Sequence, residues 1–462
     1  MICMLRQAGR RSAVCVRRVT GVALLAARAA LRSKAVVAML TALVAGSVLL
    51  PAVVKGDGTP EGELQILLSY TLGFSFAILC LTTMWAACAL FAAEIDRSLL
   101  QMSVVKPVRP FDLWLGKWCA LLVLDVLCLA AAYGSAYAQV RWRIARDAWD
   151  ELERPTCRHV TRPVLPPPEV EAREVYEELR SHDALPKDMS EQAVLRVLEE
   201  RAADKYDVIN PGGSAAWRFD LLHPVGYAER VTVRIKFDTE FSTREHVTGV
   251  CRLRSLERPE AFVDVELNDF TLNEIEFIVD TRAFGIAEEE SLRGFELVFR
   301  HTGDPGSAAG IMLRFRQDVA LLTPGGTFVA NLLRSAIVHG SVLALLAAFG
   351  LTLSACFSYP VAAFVATVML VLTMVGNSVA RVASEDDSQN FVHKAGVRIS
   401  RAVQFATSRA MRAEPLASLT RGERIENRVV AESVLWNGVT LPLVFAVMGG
   451  WILRRRELGD PT

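Results

Sequence analysis

The chain has 462 residues, 52% of them hydrophobic and 22% charged, with a mean hydropathy of +0.29. That length allows roughly three ordinary soluble domains, but so apolar an average excludes a wholly soluble or disordered protein. Lys and Arg total 51 and so do Asp and Glu, which leaves a formal net charge of zero and none of the basic excess of a generic nucleic-acid binder.

The first 34 residues carry Arg6, Arg10, Arg11, Arg17, Arg18, Arg28, Arg32 and Lys34 and no acidic residue. The positive-inside rule therefore predicts a cytoplasmic amino terminus. Val14 to Arg32 reads as an interfacial helix, with Val and Leu on one side and Arg on the other. As a signal peptide its apolar core is too short, and Arg28 and Arg32 interrupt it.

Ala35 to Val54 is an uncharged run of about twenty residues, enough at about 1.5 Å rise per residue to cross a hydrocarbon core of roughly 30 Å. Leu64 to Ala93 is a second such run, and Trp118 to Val140 a third, broken only by Asp125. Ser335 to Ala355 and Val361 to Ala380 form a pair around the short turn Cys356 to Pro360, and Val434 to Leu453 is the last. The reading is a polytopic α-helical membrane protein of six spans. Alternation from a cytoplasmic start puts 94–117, 356–360 and the carboxyl terminus inside, and 141–326 and 381–432 outside; Arg454, Arg455 and Arg456 directly after the last span agree.

The large outer insertion divides in two. Residues 141–209 read as helical: Pro163 and Pro166 to Pro168 mark a linker, Glu169 to Leu179 has apolar residues on one helical face, and Ser190 to Lys205 repeats that pattern with Ser190 as the cap. From Asn210 to Gly213 onward the period changes to two. Val231–Phe237, Phe262–Leu267, Ile275–Asp280, Phe295–Arg300 and Ile311–Arg316 alternate between Gly, Pro, Asn and Asp punctuation, which predicts an antiparallel, jelly-roll-like β-sandwich over 210–326. Such a domain can bind a sugar or peptide, or serve as a lid or docking platform without a ligand site. Cys157 and Cys251 are the two cysteines of this outer piece, where a disulfide can persist; two separate buried thiols are the alternative. The insertion holds about 25 basic and about 35 acidic residues, so the overall zero is a separation of basic inner and acidic outer pieces.

Asp125 inside the third span is a candidate functional group facing a bundle interior, with a satisfied structural carboxylate as the favoured alternative. Arg334 and His339 at the start of the fourth span read as interface anchors rather than metal ligands. Pro442 is placed to kink the last span. Residues 381–432 mix Arg with apolar positions at helical spacing. No H-E-x-x-H, G-x-S-x-G or G-x-x-x-x-G-K-[ST] occurs, so no hydrolase centre or phosphate loop is recognisable and no catalytic role is expected of this chain.

The segment after the second span starts Glu94-Ile95-Asp96, continues as a short amphipathic helix, turns at Lys106-Pro107-Val108-Arg109-Pro110 and re-enters the bilayer at Leu115-Gly116-Lys117. Val105 precedes a proline and is biased to extended backbone, so the helix is expected to end there. These residues resemble the ABC-2 family of ABC-transporter permeases, whose members carry an E-I-D-like start, a K-P-V-x-R or S-P-V-x-R turn and an L-G-K entry. Here Arg109 directly follows Val108 and Pro110 stands where that family has Arg. The ending Arg454-Arg455-Arg456-Glu457-Leu458 and the basic amino-terminal helix agree with the same family, while the large insertion has no counterpart in the resemblance. What the resemblance implies is a transmembrane subunit of a bacterial inner-membrane transporter that dimerises with itself or with a second permease. It would bind a cytoplasmic ATPase chain through the amino-terminal helix and through Glu94, Ile95, Asp96, Lys106, Pro107, Val108, Arg109, Gly116 and Lys117, and move a substrate, usually outward. ATP and Mg would sit on the partner ATPase, and no cofactor or metal is expected on this chain. The competing reading is a membrane-anchored binding or scaffold protein whose outer sandwich recognises an envelope ligand.

Overall fold

The structure is a computed structural model and describes residues 17–29, 31–32, 34–53, 60–96, 110–143, 157–165, 167–181, 191–203, 206–239, 243–303, 310–314, 317–371 and 414–455. The chain forms two compact units, Cys157–Gly326 being inserted into the helical remainder.

The helical unit starts with α1 (residues 17–29), α2 (Lys34–Val53), α3 (Pro60–Asp96) and α4 (Pro110–Arg143). Pro110 suits the first helical position, whose N–H has no acceptor, and Asp112 meets the positive end of the helix dipole. After the insertion, Thr327 caps helix α7 (Phe328–Cys356) by accepting from the Ala330 N–H. The short α8 (Tyr359–Val371), α9 (Pro415–Thr420) and the long α10 (Asn427–Arg455) complete the unit. Among the described residues four helices are long and apolar enough to cross a membrane: Leu64–Phe91, Pro110–Trp142, Phe328–Cys356 and Asn427–Arg455. They mark the chain as a membrane protein. The expected first and fifth spans coincide with shorter apolar helices, Val36–Ser47 and Tyr359–Val371; the expected fifth span runs on past the described residues.

Side-chain pairs fix the helix directions. Thr83 meets Asp125 and Lys117 meets Leu90, so α3 and α4 are antiparallel. Phe76 stacks on His339 and a Cβ on Gly350 would lie 2.7 Å from Ala87 Cβ, so α3 and α7 run the same way in close contact. Ser341 Oγ bonds Ser433 Oγ at 2.6 Å and Thr352 Oγ1 donates to the Phe445 carbonyl at 3.2 Å, so α7 and α10 are parallel as well. Between those two anchors α10 departs from α geometry: Val434–Thr440 is a π-helical turn, and Thr440 Oγ1 donates to the Leu435 carbonyl at 2.8 Å. Pro442 stands two residues beyond this turn, and with no N–H it cannot donate to the helical ladder.

The inserted unit contains β1 (Arg158–Thr161), α5 (Pro168–Ser181), α6 (Glu191–Ala203), β2 (Tyr206–Ile209), β3 (Ser214–Val225), β4 (Arg230–Lys236), β5 (His246–Ser255), β6 (Phe262–Phe270), β7 (Glu274–Asp280), β8 (Leu292–His301), β9 (Ile311–Arg314) and β10 (Val319–Pro324). The antiparallel sheets are ordered β1-β10-β4-β7 and β3-β8-β5-β6, with β2-β9 as a separate ribbon. Both larger sheets feed one core, in which Phe237 and Phe299 meet at 4.8 Å between ring centroids and Trp217, Phe219, Phe295 and Leu321 are buried. The unit is therefore a β-sandwich, and each fully buried Phe contributes about 1.5–3 kcal/mol to it. Two expectations are corrected. The stretch 141–209 is not wholly helical, since β1 and β2 lie within it and β1 closes a sheet against β10. Nor does β4 alternate: Thr232 and Arg234 on its outer side are buried, with Arg234 and Arg158 paired there on Glu276.

Candidate functional site

Of the expected coupling element, Gly116 and Lys117 lie at one end of the bundle. There the end of α3, the first turns of α4 and the last turns of α7 and α10 share one apolar cluster, which Ala26 of α1 joins. Gly116 is the crossing point. A Cβ at this position would stand 2.7 Å from Val22 Cβ and 3.0 Å from the Val19 carbonyl, so only glycine lets α1 approach α4 this closely. One residue on, Lys117 is 1% exposed; its Nζ donates to the Leu90 carbonyl at 2.8 Å and lies 3.8 Å over the Phe91 ring. A lysine in this place joins α4 to the end of α3 with a charge-assisted bond and a cation–π contact. Trp114 is buried against Gly449 of α10, and Trp118 Nε1 donates to the Ala344 carbonyl of α7 at 2.9 Å.

The expected residues thus have different roles. Gly116 and Lys117 pack inside this chain as a joint between helices. Glu94, Ile95 and Asp96 belong to the final turn of α3. Lys106, Pro107, Val108 and Arg109, with the expected amphipathic helix before them, lie outside the described residues. The amino-terminal helix is corrected in its facing: its Ala and Val residues pack on the bundle, while Leu24 and Leu25 share the exposed side with Arg17 and Arg28. Small side chains permit the close crossing and the leucines are too large for it.

Higher in the bundle, buried polar side chains join α4 to α3 and to α7. Asp125 is midway along α4 and 4% exposed; its Oδ1 accepts from Thr83 Oγ1 at 2.6 Å, and Oδ2 has no hydrogen-bond partner among the described residues. Two turns further, Tyr133 OH lies 2.6 Å from His339 Nδ1 and 2.8 Å from Ser335 Oγ, with the His339 ring stacked on Phe76 at 3.8 Å. His339 is therefore no interface anchor: it is a core residue of three packed helices. Arg334 does reach outward, to Asn427 Oδ1 at 3.1 Å. Of the expected helical stretch 381–432, residues 381–413 lie outside the described residues, and α9 and the first residues of α10 are described. Leu419 of α9 is buried beside α3 and α7, and Asn331 clamps the chain after it, donating to the Glu423 carbonyl and accepting from the Ile425 N–H at 2.9 Å each.

In the sandwich, Cys157 and Cys251 are buried thiols that do not form a disulfide; Cys251 lies in the β5 core and Cys157 just before β1. Burial pushes the Cys251 thiol up to about 12. Arg158 and Arg234 flank Glu276, with Nη1 of Arg158 and Nε of Arg234 at 2.8 and 2.7 Å from its oxygens. Burial alone would raise the Glu276 carboxyl, but the hydrogen bond and charge of Arg158, with those of Arg234, outweigh it and hold the group below its usual range. On the other sheet Arg252 pairs with Asp264 and stacks over Phe262. No group of three or more His, Cys, Asp or Glu side chains suited to a metal ion occurs among the described residues. Searches against protein-family models, curated proteins and solved structures return no match to this chain.

Proposed function

We propose that this chain is the permease subunit of an ABC transporter, an exporter in which a separate ATPase chain supplies ATP hydrolysis. The observation that carries the reading is the joint at Gly116 and Lys117. The residues that resemble the family's L-G-K entry lie where four span ends and α1 lock together, so a push on the connection between α3 and α4 would reach every long helix at once. The exposed arginines of α1 and Arg454 and Arg455 of α10 collect near this end, in keeping with a cytoplasmic side carrying both termini.

Six spans are favoured by helix direction. Since α7 and α10 run parallel, the chain between them has to return across the bundle, and α8, whose Ala362 and Ala366 pack by Met84 and Cys88, begins that return. The sandwich's strand order supports a jelly roll with β2-β9 as an added ribbon. We read this unit as an extracytoplasmic lid and the transporter as a dimer of permeases in a bacterial inner membrane.

The test is co-purification. A tagged chain extracted in mild detergent should bring down a second chain that hydrolyses ATP, and Lys106→Glu with Pro107→Ala should lose it. Isolation with no ATPase under any mild condition refutes the transporter and favours the anchored scaffold.

A further inference from the structure

The outward stripe of α1 suits neither water nor hydrocarbon. The inward stripe carries Val22, which meets Gly116, and Ala26, which is buried in the bundle. At helical spacing on the other side stand Arg17, Leu24, Leu25 and Arg28, and the helical pair Leu31 and Arg32 follows shortly after α1; all are exposed. Leu24, Leu25 and Leu31 are 56%, 68% and 50% exposed, in alternation with guanidiniums. Water penalises the leucines and the acyl core penalises the arginines. The headgroup layer suits both, because leucines enter the acyl boundary while guanidiniums make paired hydrogen bonds to phosphate.

We propose that α1, with Leu31 and Arg32 shortly after it, binds anionic phospholipid headgroups through Arg17, Arg28 and Arg32, with Leu24, Leu25 and Leu31 seated in the acyl boundary. Charge decides for anionic lipid over zwitterionic: residues 1–34 contain no carboxylate to offset these arginines. Arg454 and Arg455, exposed at the end of α10, add the same sign at the same end of the bundle, where Phe111 of α4 lies by Gly450. The proposal stands without the transporter reading. If that reading holds, the stripe belongs to lipid and the ATPase contact falls to the Glu94 to Lys117 element alone.

The experiment uses the purified full-length chain, delipidated in neutral detergent and offered phosphatidylcholine or phosphatidylglycerol. Retained lipid is counted by native mass spectrometry, and amide exchange of residues 17–29 is followed in vesicles of each composition. Phosphatidylglycerol should be retained in preference and should slow exchange in α1. Arg17→Gln, Arg28→Gln and Arg32→Gln together should cut the preference at least about tenfold, since each arginine near an anionic surface contributes roughly fivefold. The corresponding triple Lys variant should keep most of it, and Arg173→Gln with Arg180→Gln in the sandwich unit should change nothing. If the triple Gln variant does not fold, salt decides on the wild type: a preference that falls with ionic strength supports the site, and one indifferent to salt overturns it. Equal retention of the two lipids, an unchanged preference in the triple Gln variant, or protection of α1 only when an ATPase chain is added would each overturn it.

Discussion

Gly116→Ala adds one methyl group at the joint. Its carbon would lie 2.7 Å from Val22 Cβ and Cγ1 and 3.0 Å from the Val19 carbonyl, where ordinary contact is 3.4–4 Å. Something has to retreat by about 1 Å, and overpacking of this size costs about 1–3 kcal/mol. The strain falls on α1, which rests on the bundle through small side chains such as Ala23 and Ala26, and not on α3 and α7, which interlock at Gly350. Expressed as local opening, the same energy speeds amide exchange in residues 17–29 roughly fivefold to a hundredfold. Hydrogen–deuterium exchange by mass spectrometry on wild type and Gly116→Ala reads this directly, with peptides from α3 and α7 as internal reference. Unchanged exchange in residues 17–29, or equal acceleration across all helices, would refute the joint as described.

The sandwich supplies two further predictions. Because the Glu276 carboxyl is held below its ordinary value of 4.5, its stabilising contribution is complete above that value and is lost as pH falls through the lowered one. Glu276→Gln should therefore cost about 1–3 kcal/mol near neutrality and flatten the acid limb of the thermal-unfolding midpoint, while a variant limb that overlays the wild type contradicts the Arg158–Glu276–Arg234 account. The thiol of Cys251, raised to about 12 and enclosed in the core, should resist maleimide at neutral pH until the sandwich unfolds. Recovery of a Cys157–Cys251 crosslinked peptide from native protein would show that assignment to be wrong.

Much of this architecture can be read from pattern, and the failures have physical causes. Alternating strands announce themselves: Phe262–Leu267 and Ile275–Asp280 coincide with β6 and β7, and Val231–Phe237 coincides with β4 because its sequence alternates even though its polar side chains are buried. Strand β10 does not, because Val319 to Leu322 is buried on both faces and reads as a featureless apolar run. In β3 a register shift between Asp220 and Val225 breaks the period, and β1, at four residues, is too short to show one. The sequence singles out Gly116 and Lys117, yet the contacts these residues make are not legible in it. Val22 and Leu90, which they touch, lie elsewhere in the chain, and no local period encodes such a crossing. The burial of His339 is hidden for the same reason, since Phe76 and Tyr133 come to it from two other helices.

The π-helical turn of α10 separates two halves that answer to different neighbours. Ser341 and Thr352 are eleven positions apart on α7, while the residues they hold on α10, Ser433 and Phe445, are twelve apart. Two uninterrupted parallel α-helices would be out of step by one residue, about 1.5 Å along the axis and about 100° around it. The wide turn at Val434–Thr440 absorbs that residue, so each half of α10 keeps its own phase. One helix can then hold fast to α7 at two heights while the exposed Leu435, Val439, Leu443 and Val447 form a continuous outward ridge across the break.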